Sequence, residues 1–225
     1  MLHPPPPGTA DLFAEADLQQ APRVDVIGPQ SRVLRGFALP WIEPSLTALR
    51  TVLQGAPLRR MVTPGGFTMS VGLSSCGELG WTTDTRAYRY SDLDPKTGQP
   101  WPPMPDIFRQ LAQAAALEAG FADFNPDACL INCYRPGAKM SLHQDKNEQD
   151  FSAPIVSLSL GLPAIFLFGG DQRSDRPLRV PLLHGDVAVW GGVDRLRYHG
   201  ILPLKEGTHP RLGSQRFNLT FRRAG

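Results

Sequence analysis

From Cys129 onward the chain is a series of short apolar runs broken by turn residues. They are Cys129–Tyr134, Lys139–His143, Ile155–Leu160, Ala164–Phe168, Leu178–Leu182, Val187–Trp190, Leu196–Gly200 and Arg216–Arg222. Each has the length of a strand, and eight strands so punctuated suggest a double-sheet jelly roll. The segments in front read differently. Leu46, Leu49, Val52 and Leu53 recur at helical spacing over Glu43–Gln54, with Pro44 in the first turn. A second helix is expected from Asp106, as N-cap, to Ala119, with Gly120 as its stop. Both helices would pack on one sheet and complete the core. Between them, Met61 to Val71 looks like a hairpin around Pro64-Gly65-Gly66, and Trp81 and the alternating Tyr88-Arg89-Tyr90 follow. Pro4 to Pro7 read as an extended arm, followed by a short helix over Asp11–Leu18. No internal repeat is visible.

The expected fold is therefore mostly β with flanking helices, an α+β arrangement. A hydrophobic fraction of 41% supplies a real core. No apolar run is long enough to cross a bilayer, and Met1 to Pro7 lack the layout of a secretory signal, so the expected location is the cytoplasm and no membrane is involved. Cys76, Cys129 and Cys133 are odd in number and lack CxxC spacing, which indicates neither a disulfide framework nor a zinc site.

His143-Gln144-Asp145 places an imidazole and a carboxylate two residues apart, on one face where a strand ends. A second histidine from a distant strand, meeting this one across the roll, would complete a 2-His-1-carboxylate site with open positions for co-substrate and dioxygen, as non-haem Fe(II) oxygenases have. His184-Gly185-Asp186 is the rival, but Gly-Asp before an apolar strand is first a turn signal, and only one strand separates it from His199. His143 and Asp145 leave four strands before His199, which fits. His3 sits in the proline arm and His209 precedes Pro210 in a loop.

In Arg216–Arg222 alternation puts Arg216, Asn218, Thr220 and Arg222 on one face and the apolar residues on the other. In a roll holding a metal, that face aims two guanidinium groups and an amide at a ligand, and guanidinium grips carboxylate bidentately. Asn132 and Tyr134 share a face of their strand in the same way, with Cys133 turned away. Residues 173–225 hold 10 Lys+Arg against 4 Asp+Glu, with Arg173, Arg176, Arg179, Arg195 and Arg197 crowded together. Such a stretch can track a phosphate backbone, although a solvated surface is the commoner reason for it.

At these residues the sequence resembles the AlkB-type nucleic-acid dealkylases among the Fe(II)/2-oxoglutarate dioxygenases. The matching stretches are Met61 to Val71, Gly80 to Thr83, Pro126 to Asn132, Ser141 to Lys146, Ala153 to Phe168, His184 to Asp186, Val189 to Gly192, Tyr198 to Gly200 and Arg216 to Arg222. The resemblance implies a double-stranded β-helix with N-terminal helices and a substrate-binding β-hairpin lid. Its implied division is a flexible Pro-rich arm (1–30), helical support with a nucleotide-recognition lid (31–124) and the dioxygenase core (125–225). It implies that His143, Asp145 and His199 bind Fe(II). Asn132, Tyr134, Arg216, Asn218 and Arg222 would hold 2-oxoglutarate, with Arg216 on the distal carboxylate and Arg222 nearer the metal.

The reaction implied consumes O2 and 2-oxoglutarate and converts 1-methyladenine or 3-methylcytosine, in single- or double-stranded DNA and in RNA, to the unmodified base plus formaldehyde, succinate and carbon dioxide. A monomer is the default. Substrate contacts implied are Trp81, stacking on the lesion, with Tyr88, Arg89, Tyr90, Arg173, Thr63 and Met69. Asn147 stands where the family pattern has an aspartate facing the lesion's exocyclic amine; the neutral side chain should weaken the preference for cationic bases. Two other readings compete: an iron/2-oxoglutarate hydroxylase of a protein or small molecule, and a non-catalytic jelly-roll module sensing metal or dicarboxylate.

Overall fold

The computed structural model describes residues 23–225, so the proline arm, His3 and the Asp11–Leu18 helix lie outside the described residues. Two antiparallel sheets face each other. The larger runs in the order β1 (Arg23–Gly28), β2 (Ser31–Arg35), β11 (Val187–Trp190), β8 (Ile155–Gly161), β13 (Arg216–Arg222), β6 (Ala128–Tyr134) and β3 (Gly72–Gly77). The smaller runs β10 (Leu178–Leu182), β9 (Ala164–Phe168), β12 (His199–Ile201) and β7 (Met140–His143). A separate two-stranded ribbon, β4 (Gly80–Thr83) and β5 (Tyr88–Ser91), carries Trp81 opposite Tyr90.

Strands β6, β8 and β13 are buried along their whole length because both faces of the large sheet are covered. On the outer face lie helices α1 (Ile42–Gly55) and α2 (Asp106–Glu118). Their apolar stripes, Leu46, Leu49 and Val52 on α1 and Phe108, Leu111 and Ala115 on α2, meet Ile131, Leu158, Leu219 and Phe221. Burying a side chain such as Phe108 or Leu111 contributes ~1.5–3 kcal/mol, so this layer anchors the sheet that carries half of the site. On the inner face Val33, Ile155 and Trp190 pack against Phe166, Phe168 and Leu182 of the small sheet.

Four of the eight expected strands, or seven allowing one residue at an end, stand where the sequence places them. The Leu196–Gly200 run is shorter than expected. Gly192–Asp194 forms a 3-10 turn, and Arg197 N–H donates to Asp194 O at 3.1 Å, which keeps the ladder from starting before His199. Asp106 is not the N-cap of α2: Pro105, with extended backbone, holds that position, and Asp106 sits in the first turn where its charge suits the helix dipole. Gly120 ends the helix as expected, at φ +94°, with Phe121 N–H donating to Ala116 O and Gly120 N–H to Leu117 O. Arg23–Gly28, grouped with the arm in the sequence, pairs with β2 along the sheet edge, and Gly72–Gly77 adds the opposite edge.

Candidate metal centre and co-substrate cavity

Strands β7 and β12 are hydrogen-bonded neighbours, and His143 and His199 are direct cross-strand partners, with ring centroids 4.5 Å apart. The expectation that His199 arrives from across the roll is therefore corrected: it lies beside His143 in the same sheet. Below this pair β7 carries one extra residue, so that Ile201 pairs with Met140. Such a bulge re-aims side chains at a site. It also needs Gly200, because a Cβ there would sit 2.7 Å from the Met140 carbonyl oxygen. Asp145, just past β7, completes the group: one ligand atom from each of His143, Asp145 and His199 falls within 4.8 Å of the others.

Each imidazole is oriented through Nδ1, His143 toward Ser141 O at 2.8 Å and His199 toward Arg197 O at 3.0 Å. That leaves both Nε2 atoms facing the carboxylate, 3.7 and 3.6 Å from Asp145 oxygens. Removal from bulk water, then the neighbouring His199 ring, pushes the His143 pKa down to about 4, so the ring is neutral and able to ligate although it opens onto the cavity mouth. Burial alone would raise the Asp145 carboxyl; Arg222 and the two histidines instead hold it well below the ordinary carboxylate range. Two imidazoles and one carboxylate at this spacing fit Fe(II).

These ligands sit in a cavity of about 820 Å³ between the sheets. Its far wall is made by two cross-strand pairs, Arg216 with Tyr134 and Asn218 with Asn132. Arg216 is fully buried, and burial draws its pKa down to about 10. Its Nη2 donates to Ser159 Oγ at 2.8 Å, while Nε and Nη1 have no protein partner. A buried guanidinium with two unused donors calls for an anion, and the distal carboxylate of 2-oxoglutarate supplies one. Burial likewise pushes the Tyr134 hydroxyl up to about 12, so it remains a donor. Asn218 is differently placed: its amide donates to Ser157 Oγ and Leu158 O and accepts from Thr220 Oγ1 and Asn132 Nδ2. It therefore orients Asn132 rather than offering free donors. Arg222 lies at the metal end, with Nε 3.1 Å from Asp145 Oδ2.

The mouth is lined by Thr63, Met69, Trp81, Tyr88, Asn147 and Arg173. Trp81 and Tyr88 stack at 5.7 Å, Asn147 Oδ1 accepts from Trp81 Nε1 at 3.4 Å, and the Arg173 guanidinium lies over the Tyr198 ring. Thr63 N–H donates to Phe67 O and Met69 N–H to Met61 O, closing the expected hairpin. Two candidates do not join them. Arg89 alternates to the other side of the ribbon and pairs with Asp84 at 3.0 Å. Tyr90 is tied to Glu148 behind the cavity wall.

The basic segment also divides. Arg195 is buried at 3% exposure, Arg197 is ion-paired with Asp194 at 2.6 Å, and Arg176 and Arg179 remain in solvent. His184 is structural: its Nδ1 accepts from Gly161 N–H at 3.0 Å, and Asp186 of that rival pair binds Arg35. Sequence reasoning missed Glu148 and Arg195, whose pairing joins distant segments and leaves no local signal.

Comparison with known proteins agrees with this geometry. The model of the 2OG-Fe(II) oxygenase superfamily matches residues 30–222. The chain is 56% identical over 215 residues to the alpha-ketoglutarate-dependent dioxygenase AlkB of Escherichia coli, covering 96% of this chain and 98% of that one. It is 34% identical over 133 residues to the nucleic acid dioxygenase ALKBH1 of Homo sapiens, covering 58% of this chain and 34% of that one. The solved structure of OsALKBH1 superposes with a TM-score of 0.77 at 26% identity, covering 89% of this chain and all of that one.

Proposed function

Because the chain belongs to the 2OG-Fe(II) oxygenase superfamily, we propose that it oxidatively removes alkyl groups from N-alkylated bases such as 1-methyladenine and 3-methylcytosine, in DNA and also in RNA. Fe(II), O2 and 2-oxoglutarate supply the oxidation, giving formaldehyde, succinate and carbon dioxide. The observation that carries the reading is the shape of one cavity: a His-Asp-His cluster in its wall, an unsatisfied buried arginine at the inner end and an aromatic pair at the mouth.

His143 and His199 would hold Fe(II) through Nε2, and Asp145 would supply the anionic ligand. Arg216 and the Tyr134 hydroxyl would hold the distal carboxylate of 2-oxoglutarate and so orient the co-substrate. Asn132, held by Asn218, supports the middle of that path. Burial among Leu130, Phe166, Leu182 and Trp190 keeps bulk water away from the reacting carbon.

At the mouth, Trp81 and Tyr88 present aromatic surface to a base that has left the stack, since a stacked base would be out of reach. The methylated bases are cationic, and an indole face attracts such a cation by roughly 0.5–2 kcal/mol. Arg173, and Thr63 and Met69 on the hairpin, frame the entrance. The working state is a monomer in the cytoplasm; no helix among the described residues is long and apolar enough to cross a membrane.

The test is anaerobic reconstitution with Fe(II), followed by oxygen, 2-oxoglutarate and a methylated oligonucleotide. Base-dependent formaldehyde supports the proposal. Succinate without base repair would point to a protein or small-molecule hydroxylase, and neither product to a binding module.

A further inference from the structure

Behind the cavity wall lies a charged group that the chemistry above does not use. The Glu148 side chain, 2% exposed, ion-pairs with Arg195 at 3.2 Å and with Arg222 at 3.4 Å. Arg195 donates to the backbone oxygen of Asp145 at 2.8 Å and to that of Ala153 at 3.1 Å, which fixes the loop after β7. Arg222 holds the Asp145 carboxylate itself. One metal ligand is thus gripped by its main chain and its side chain, and both grips meet at Glu148. Two anions and two cations balance in this group, as charges withdrawn from water must.

A fifth member comes from elsewhere in the chain. The Tyr90 hydroxyl donates to Glu148 Oε1 at 2.7 Å and lies 3.5 Å from Arg222 Nη1. Tyr90 is the cross-strand partner of Trp81 in the β4–β5 ribbon at the cavity mouth. The contact between this ribbon and Asp145 therefore runs through two hydrogen-bonded groups. Were the ribbon to swing out, Glu148 would lose a donor and draw more strongly on Arg222, loosening its hold on Asp145. We infer that Tyr90 and Glu148 are positioning residues that couple seating of a base against the ribbon to metal binding at Asp145. The inference rests on the nucleic-acid reading above. Coupling is reciprocal, so a seated base tightens the metal and the metal tightens the base.

The experiment titrates Mn(II), a redox-stable stand-in, into protein holding 2-oxoglutarate, with and without an oligonucleotide bearing one 1-methyladenine. Oligonucleotide binding is followed separately by fluorescence anisotropy. In the wild type, bound oligonucleotide should tighten Mn(II) by about fivefold or more. Tyr90→Phe keeps the ring and removes the link: Mn(II) without oligonucleotide should bind more weakly than to wild type, and the oligonucleotide effect should vanish. Glu148→Gln should weaken Mn(II) under both conditions and also lose the effect. The same oligonucleotide effect in either variant as in the wild type overturns the inference. So does a wild type that binds the oligonucleotide with no change in Mn(II) affinity, and that result leaves the nucleic-acid reading intact. A wild type that does not bind the oligonucleotide overturns both.

Discussion

Arg222 aims two donors, Nε and Nη2, at a single oxygen of Asp145, Oδ2. The carboxylate is thereby kept ionised and fixed in rotation beside the two imidazoles. Asp145→Ala should abolish turnover, and its loss of Mn(II) affinity should exceed the ~10–100-fold that removal of an outer partner costs. The check is calorimetric titration beside an activity assay on folded variant. Full activity would refute the metal assignment.

Arg216 makes the opposite kind of prediction. With two donors unsatisfied in the ligand-free protein, it is a cost to folding until an anion arrives. Arg216→Met should leave the ligand-free melting temperature unchanged or higher. It should also erase the stabilisation that 2-oxoglutarate gives the wild type, which is ~2.7 kcal/mol at a hundredfold excess over Kd. Thermal melts with and without 2-oxoglutarate measure both. A retained shift would place the carboxylate elsewhere.

Asn147 lines the mouth and accepts from the Trp81 indole. Restoring a charge there with Asn147→Asp should raise turnover of cationic 1-methyladenine relative to a neutral etheno adduct. Competition between the two lesions in paired oligonucleotides reads the ratio directly, and an unchanged ratio counts against a charge effect.

His184 gives a pH prediction for stability. Burial, then the adjacent His209 ring, lowers its pKa to about 4, and its neutral Nδ1 accepts from Gly161 N–H. The unfolded chain takes up the proton near 6.5, so the stability this histidine contributes is complete above that pH and drains away as pH falls toward 4. His184→Ala should lower the melting temperature at pH 7.5, and the gap from wild type should close by pH 4. The wild-type loss over that window is on the order of 2 kcal/mol. A gap independent of pH would mean that the ring matters only as volume.

What the sequence showed and hid follows from the range of the forces involved. Spacing of two exposed the His143–Asp145 pair, and alternation in Arg216–Arg222 exposed the co-substrate wall, because both are local consequences of strand geometry. The order of strands is not local. Nothing in the pattern said that β12 would lie beside β7, so His199 was expected from across the roll. Charge count misled at Arg195, which composition groups with solvated arginines although Glu148 holds it in the interior. Arg23–Gly28 was obscured by edge position: with little of it buried, its polar and apolar residues do not sort cleanly.

The two histidines stand on the four-stranded sheet and Arg216 on the seven-stranded one. Chemistry therefore depends on the gap between layers, a quantity that hydrogen bonding within either sheet does not control. Heating or core-loosening substitutions that let the layers slip by an ångström would silence the protein while its strands persist. Inactivation should accordingly precede the loss of far-ultraviolet dichroism.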